Sequence, residues 1–284
     1  MITIFAVLIR IISNSLSNVY QKQLTAEGFN PSLINFIMYS GLTILLLPII
    51  LKTNYNSISY EVWIYAIFGG LFGALGNSYL VKALQNGELS VLGPINAYKS
   101  VVAMLTGIFL LGEIPSLYGI TAIILVIIGS YFIFDTQEEG FSIKLLTRCD
   151  IRYRIYALIF TAIEAIFIKE VIKGSDILTS LIMWSFFGML FTGIIVFYGK
   201  KPCIKYNKTI ITKLFGIIAL MGIMQYCTNY VFSHMQVSYG LALFQLSALI
   251  SVIFGWKYFN EKNILQKLLG STIMIIGAAI LIIS

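Results

Sequence analysis

Residues 110–129 read LLGEIPSLYGITAIILVIIG, and residues 258–277 read YFNEKNILQKLLGSTIMIIG. Each stretch is the end of one apolar run, an acidic turn, and a second apolar run that carries a glycine near its far end. A shift of 148 residues lays the first on the second without a gap, matching Glu113 to Glu261, Leu117 to Leu265 and Gly129 to Gly277. The same shift matches Ser90 to Ser238 and Gly107 to Gly255, and a shift of 147 lays Lys22 on Lys169 and Gly41 on Gly188. Apolar runs match by chance. Here polar and glycine positions coincide over most of the chain, so the sequence is read as an internal repeat, a feature that decides the fold before any local pattern does.

Outward from the two turns, apolar runs bounded by Gly, Pro, Asn and charges give ten segments, at about 2–24, 32–51, 61–83, 89–111, 115–134, 153–171, 177–198, 212–233, 238–258 and 265–283. Each is close to the roughly 20 residues a helix needs to cross a bilayer core. Of 284 residues, 58% are apolar and 11% charged, against roughly 45–50% and 25% in soluble domains. Water is not the solvent for this surface. The first run starts at Ile2 without a basic leader or a small-residue cleavage site and is expected to be a retained helix. Two polar connections stand out, 135–152 and 199–211. The first divides the chain into a five-helix repeat over 1–134, a connecting loop over 135–152 and a second five-helix repeat over 153–284. Five is odd, so the second copy enters the membrane in the opposite sense. The expected fold is an all-α integral membrane protein of ten transmembrane helices, an inverted repeat of two five-helix units, with any binding site near the midplane between the halves.

Several classes are excluded. Cys149, Cys203 and Cys227 lack metal-ligand spacing, and His234 has no partner at such spacing, so neither a disulfide scaffold nor a zinc site is expected. No Walker loop, HExxH, GxSxG or dinucleotide glycine pattern occurs, which argues against an enzyme and against ATP-driven pumping by this chain. No cofactor is expected. The net charge of +7 sits in short loops and reads as membrane topology rather than nucleic-acid binding.

The two opening stretches resemble the EamA-type repeat of the drug/metabolite transporter superfamily, in which a Gly-Glu turn precedes a final helix with spaced glycines. The resemblance covers both halves, with two departures: Asn260 replaces the glycine before Glu261, and Ala122 stands where Gly270 occurs in the second copy. It implies a carrier of metabolites or drugs, often an exporter of amino acids or related compounds, with both termini in the cytoplasm.

The residues themselves point to a polar solute. Arg10, Ser13, Asn14, Ser17, Asn18 and Gln21 recur at helical spacing as one polar stripe on the first segment, and such a stripe faces the bundle interior or a water-filled cavity. Lys99 lies near the middle of the fourth segment with Asn96, Ala103 and Thr106 on its face, and Glu164 near the middle of the sixth beside Thr161. A charge at that depth costs about 2.5–3.5 kcal/mol unless paired or hydrated. Two readings stay open. Lys99 or Arg10 binds a carboxylate or phosphate while Glu164 binds an amine or coupling ion, or Lys99 and Glu164 pair across the halves while Arg10 snorkels to the interface. Asn77 and Gln225 coincide at the 148-residue shift, Asn229 follows one turn later and Gln245 lies in the ninth segment. These amides offer donors and acceptors to a solute or to the backbone. Gly69, Gly70, Gly73 and Gly76 allow close helix contact, and Pro94, five residues before Lys99, frees a carbonyl and kinks its helix.

The expectation is secondary transport of a small polar metabolite by alternating access, with membrane lipid and a coupling ion as the other partners. The rivals are a carrier of a phosphorylated, nucleotide-like or lipid-linked solute, which needs more cations than Lys99 and Arg10, and a non-transporting scaffold. Fourteen lysines and arginines fall on the side of the loops joining segments 1–2, 3–4, 5–6, 7–8 and 9–10, and three, Lys52, Lys169 and Lys173, on the side of the termini. The positive-inside rule then places the termini outside, against the orientation the resemblance implies. Single cysteines introduced around Lys205 are expected to resist an impermeant thiol reagent in intact cells; ready labelling would reverse the orientation.

Overall fold

Local chemistry sets the helix ends. Asn30 accepts a hydrogen bond from the Ser32 amide at 2.8 Å, and Pro31 occupies the first helical position. Asp176 accepts from the Leu178 and Thr179 amides, and Asn207 from the Ile210 amide. Each side chain satisfies donors that a helix start leaves free. The computed structural model describes residues 2–99, 101–102, 117–140, 142–198 and 207–283. Ala103, Thr106, Gly107, Glu113, Cys203 and Lys205, together with the second half of the expected fourth segment from residue 103 on, lie outside the described residues.

The helices are α1 (Ile2–Ala26), α2 (Pro31–Ile50), α3 (Tyr60–Asn86), α4 (Leu89–Leu92), α5 (Leu117–Phe134), α6 (Ile143–Thr147), α7 (Cys149–Gly174), α8 (Ile177–Phe197), α9 (Lys208–His234), α10 (Val237–Phe244), α11 (Ser247–Phe259) and α12 (Ile264–Ile283). No strand occurs among the described residues. Seven helical stretches there are long and apolar enough to cross a membrane: α1, α2, α3, α5, α8, α9 and residues 239–259. The 26 residues of α7 are long enough as well, but carry Arg152, Arg154, Glu164 and Lys169. Residues such as Phe5, Ile44, Leu45, Phe197 and Leu265 are exposed on the outer surface, the face a bilayer solvates.

Two of the expected helices are broken. After α4 the chain runs through a 3₁₀ turn over Pro94–Ala97, in which the Asn96 amide bonds Gly93 O rather than Leu92 O. Residues 237–259 form α10 and α11, joined by i→i+3 bonds at Gln245 and Leu246. The breaks fall at positions related by the repeat. Only the first contains proline, so Pro94 alone does not account for them.

The acidic turn has a clear physical role. Asn260 ends α11 in the left-handed region, φ 52°, where asparagine is the usual substitute for glycine. That turn sends the Glu261 carboxylate to the start of α4, where it accepts from the Leu89 and Ser90 amides, each at 2.8 Å. A carboxylate there offsets the positive end of the helix dipole.

The most extensive packing pairs are α3 with α7, α1 with α9, and α5 with α12. Each joins one repeat to the other, and each pair is antiparallel. Along α3, Gly76 lies against Thr161, Gly73 against Glu164 and Gly69 against Ile168. Between α5 and α12 a Cβ on Gly129 would meet Gly270 O at 2.5 Å, one on Gly270 would meet Gly129 O at 2.5 Å, and one on Gly277 would meet Ala122 O at 2.8 Å. The repeat carries Gly129 to Gly277 and Ala122 to Gly270, so the first contact maps onto the last. Alanine is accommodated at one of these four positions, Ala122, which is fully buried in the contact.

Because the obstruction at Gly270 is backbone, a side chain there forces the helices apart. Gly270→Ala and Gly270→Val are expected to lower the thermal midpoint of the purified protein, the valine by the equivalent of about 1–3 kcal/mol. Gly193→Ala, which meets only the edge of the Phe36 ring at 3.2 Å, is expected to change it little. Equal midpoints for all three would remove the glycine contact as a cause of close packing.

Candidate functional site

The polar stripe of α1 divides in two. Ser13, Ser17 and Gln21 are buried in helix seams, while Arg10, Asn14 and Asn18 face a central cavity of about 90 Å³. From the other elements Asn77 (α3), Asn96 and Lys99 (the segment after Pro94), Glu164 (α7) and Gln225 (α9) face the same space. These eight sequence-predicted residues come from both repeats. Asn229 and Gln245 are not part of the lining. The Asn229 amide is spent on Gln225, whose Nε2 donates to Oδ1 at 3.0 Å, and on Ile177 O at 3.2 Å. Gln245 is buried at the break between α10 and α11.

Glu164 sits where Gly73 makes room for it: a Cβ on Gly73 would lie 2.5 Å from Oε1. That oxygen accepts from the Trp184 indole N–H at 2.6 Å. The Trp184 ring packs on Tyr39 at 4.7 Å between centroids, and the Tyr39 hydroxyl accepts from Asn77 Nδ2 at 2.8 Å. Asn77 also donates to Gly73 O at 3.0 Å, so its amide both lines the cavity and fixes the groups that hold Glu164. Lys99 and Arg10 act electrostatically on Glu164, but the ion pairs among the described residues do not join Lys99 to it. The expected Lys99–Glu164 contact is therefore a shared cavity rather than a direct bridge, and the hydrogen bond to Glu164 comes from the Trp184 indole.

Arg10 stacks its guanidinium 4.0 Å above the Phe244 ring and makes a long Nε contact, 3.5 Å, to Thr228 Oγ1. Its Nη1 is buried without a hydrogen bond among the described residues. It does not snorkel to the interface. A third cation joins it. Arg154 faces the cavity and donates from Nε to Leu92 O at 2.7 Å, the carbonyl that the 3₁₀ turn leaves free. Arg154 is one of the fourteen cations counted above on the side of the loops; it faces the cavity instead, and removing it from the count leaves the excess on the same side. Its spacing to Thr161, Glu164 and Ile168 marks one helical face, a signal present in the sequence. Trp184, Thr228 and Tyr39 carried no comparable signal among the many aromatic and hydroxyl residues.

One turn along α1 from Asn18, Lys22 lies at an open polar vestibule of about 860 Å³. Its ion pairs join the repeats. Lys22 lies 3.4 Å from Glu261 and donates to Gly87 O, and Lys267 pairs with Glu88 and donates to Ser90 Oγ at 2.9 Å. At the rim, Arg148 bonds Glu139 at 2.9 Å and Asp150 at 2.8 Å, and this holds the Glu139 carboxyl below its ordinary value. In the second repeat Lys169, the counterpart of Lys22, donates to Met235 O at 3.2 Å. The lysine-to-carbonyl bond is thus made in both copies.

No curated protein sequence matches this chain. A solved structure titled "Crystal structure of protein" aligns over 97% of this chain and 95% of its own, with a TM-score of 0.65 and 13% identity, which is a likeness of fold. The profile of the EamA-like transporter family matches residues 1–135 and again 152–283. With the repeat, the membrane-crossing helices and a shared polar cavity in place, that double match means the chain belongs to the EamA-like transporter family and is an integral membrane protein.

Proposed function

We propose that the protein is a secondary carrier that moves a small polar metabolite bearing an anionic group across the membrane by alternating access. The supporting observation is the cavity in which Arg10, Lys99 and Arg154 surround a single carboxylate, Glu164, with both broken segments contributing lining residues. Discontinuous helices beside polar groups at mid-membrane are a recurrent way of building such a site. In this reading the chain crosses the membrane ten times as an inverted repeat. A carboxylate on the solute meets the cations, an amine meets Glu164, and the coupling ion shares Glu164. The vestibule bonds from Lys22, Glu261 and Lys267 close one side, and opening requires them to break as the halves exchange conformation.

The gathering of three cations and one carboxylate around one cavity favours this reading over a scaffold, in which charges at that depth are expected to be paired off directly. Arg154 also supplies the cation that a phosphorylated or lipid-linked solute needs, and so favours that second reading within transport.

Transport is tested by uptake of labelled amino acids and organic acids into proteoliposomes, with and without pH or sodium gradients. Lys99→Met and Glu164→Gln are each expected to reduce uptake more than tenfold. The double variant is expected to remain folded and inactive, because the groups that meet the solute are still missing. Wild-type uptake in the double variant would remove both residues from the site.

Water access provides a separate check. In a background without native cysteines, Asn14→Cys and Asn18→Cys are expected to react with small hydrophilic thiol reagents and to be protected by solute. Ser17→Cys, in the seam, is expected to be inert. Inert cysteines at all three positions would make the stripe a packing surface.

A further inference from the structure

The two elements that wall the central cavity also wall a second one. Along α7, Arg154, Thr161 and Glu164 face the centre, while Ile151, Ile155 and Leu158 form the neighbouring stripe and face outward into a cavity of about 450 Å³. The segment after Pro94 divides the same way, with Asn96 and Lys99 toward the centre and Ile95, Tyr98 and Val102 toward the second cavity. Among the described residues the lining of the second cavity is almost wholly apolar. Tyr98 contributes its ring, since its hydroxyl is engaged with Ser130 at 2.8 Å. Space lined in this way stays dry and accepts apolar groups. Leu146 and Ile159, which also line it, are exposed on the outer surface, so the cavity has an edge open to the surroundings of the protein.

The central cavity is small. At about 90 Å³ it has the volume of roughly three waters at about 30 Å³ each, enough for a carboxylate or phosphate head and little more. Three cations against one carboxylate select an anion, and Arg10 holds an unused buried donor there. The apolar cavity is about five times larger. Lys99 and Arg154 of the central cavity stand one residue from Tyr98 and one helical turn from Leu158 of the second, so a chain passing between these side chains would run from one cavity into the other.

We infer that the second cavity is the tail site for an amphiphilic anion whose carboxylate or phosphate head occupies the central cavity. This rests on the reading of the central cavity as the solute site, takes the second of the two transport readings given for it, and names the substrate class, an anionic head on an apolar chain. The head is recognised by Arg10, Lys99 and Arg154. The chain is recognised by volume and apolarity alone, so chain identity matters less than chain length.

The test uses the full-length protein in nanodiscs with Trp63→Phe and Trp256→Phe, which leaves Trp184 as the only tryptophan. Its fluorescence reports on the head site through its bond to Glu164. Titration with methyl to hexyl phosphate is expected to give affinities that rise about fourfold per methylene, the ratio that burial of one methylene confers. Alkylammonium ions of the same lengths are expected not to bind. Ile159→Trp, which fills the second cavity from its exposed edge and, because it adds a tryptophan, is read by titration calorimetry, is expected to weaken hexyl phosphate more than tenfold and leave methyl phosphate unchanged; Leu146→Trp, read in the same way, serves the same purpose if that variant does not fold. Binding of methyl phosphate without any gain along the series, or a gain that survives both fillings, would overturn the tail site and leave the solute site standing. Failure of methyl phosphate and acetate alike to perturb Trp184 would overturn both.

Discussion

Charge buried in hydrocarbon must be compensated by protein, and the centre of this molecule is arranged around that requirement. Glu164 is placed among three cations, Arg10, Lys99 and Arg154, and three of these four groups are held by different devices. The carboxylate takes an indole N–H, Arg10 takes an aromatic face, and Arg154 takes a backbone carbonyl. These devices fix the surrounding fold. Gly73 has no side chain because Glu164 fills the space, and Leu92 O is free because the helix breaks into a 3₁₀ turn at Pro94. A break of this kind is tolerated at membrane depth only where it is buried in protein or lines a cavity.

The repeats supply the compensation jointly. Arg10 belongs to the first and its partners Thr228 and Phe244 to the second; Glu164 belongs to the second and Gly73, which makes room for it, to the first. The glycine contacts extend this sharing over the whole length of α3 and along α5. Since the closest contacts run between repeats rather than within them, motion of one repeat relative to the other is felt directly at the charged centre. The vestibule bonds from Lys22 and Lys267 lie on the same inter-repeat seam.

Much of this was legible in the sequence because membrane helices announce themselves by composition and repeats by register. The stripe on α1 gave Arg10, Asn14 and Asn18 their common face, and the coincidence of Asn77 with Gln225 put both at the cavity. Arg154 was harder to read. It stands beside Arg152 near a helix start, and only the helical rotation between them sends one side chain out and the other in. Asn229 carries the same amide as Asn14, yet its hydrogen bonds are taken by Gln225 and Ile177 O, which sequence spacing does not reveal. Trp184 is one aromatic residue among many, and its importance comes from a single tertiary bond. The second helix break, at Gln245, has no proline to signal it. Its position follows from the repeat.

The pairing of α1 with α9 also sets the order in which the molecule can be built. Arg10 and Thr228 are separated by 218 positions. At a synthesis rate of roughly 5–20 residues per second, α1 waits about 10–40 s for its partner helix. During that interval its arginine and asparagines have only early helices, lipid headgroups or an insertion factor to shield them. α3 likewise precedes α7, so the first repeat enters the bilayer before the second can complete its packing. Biogenesis, and not transport alone, therefore limits how polar α1 can be.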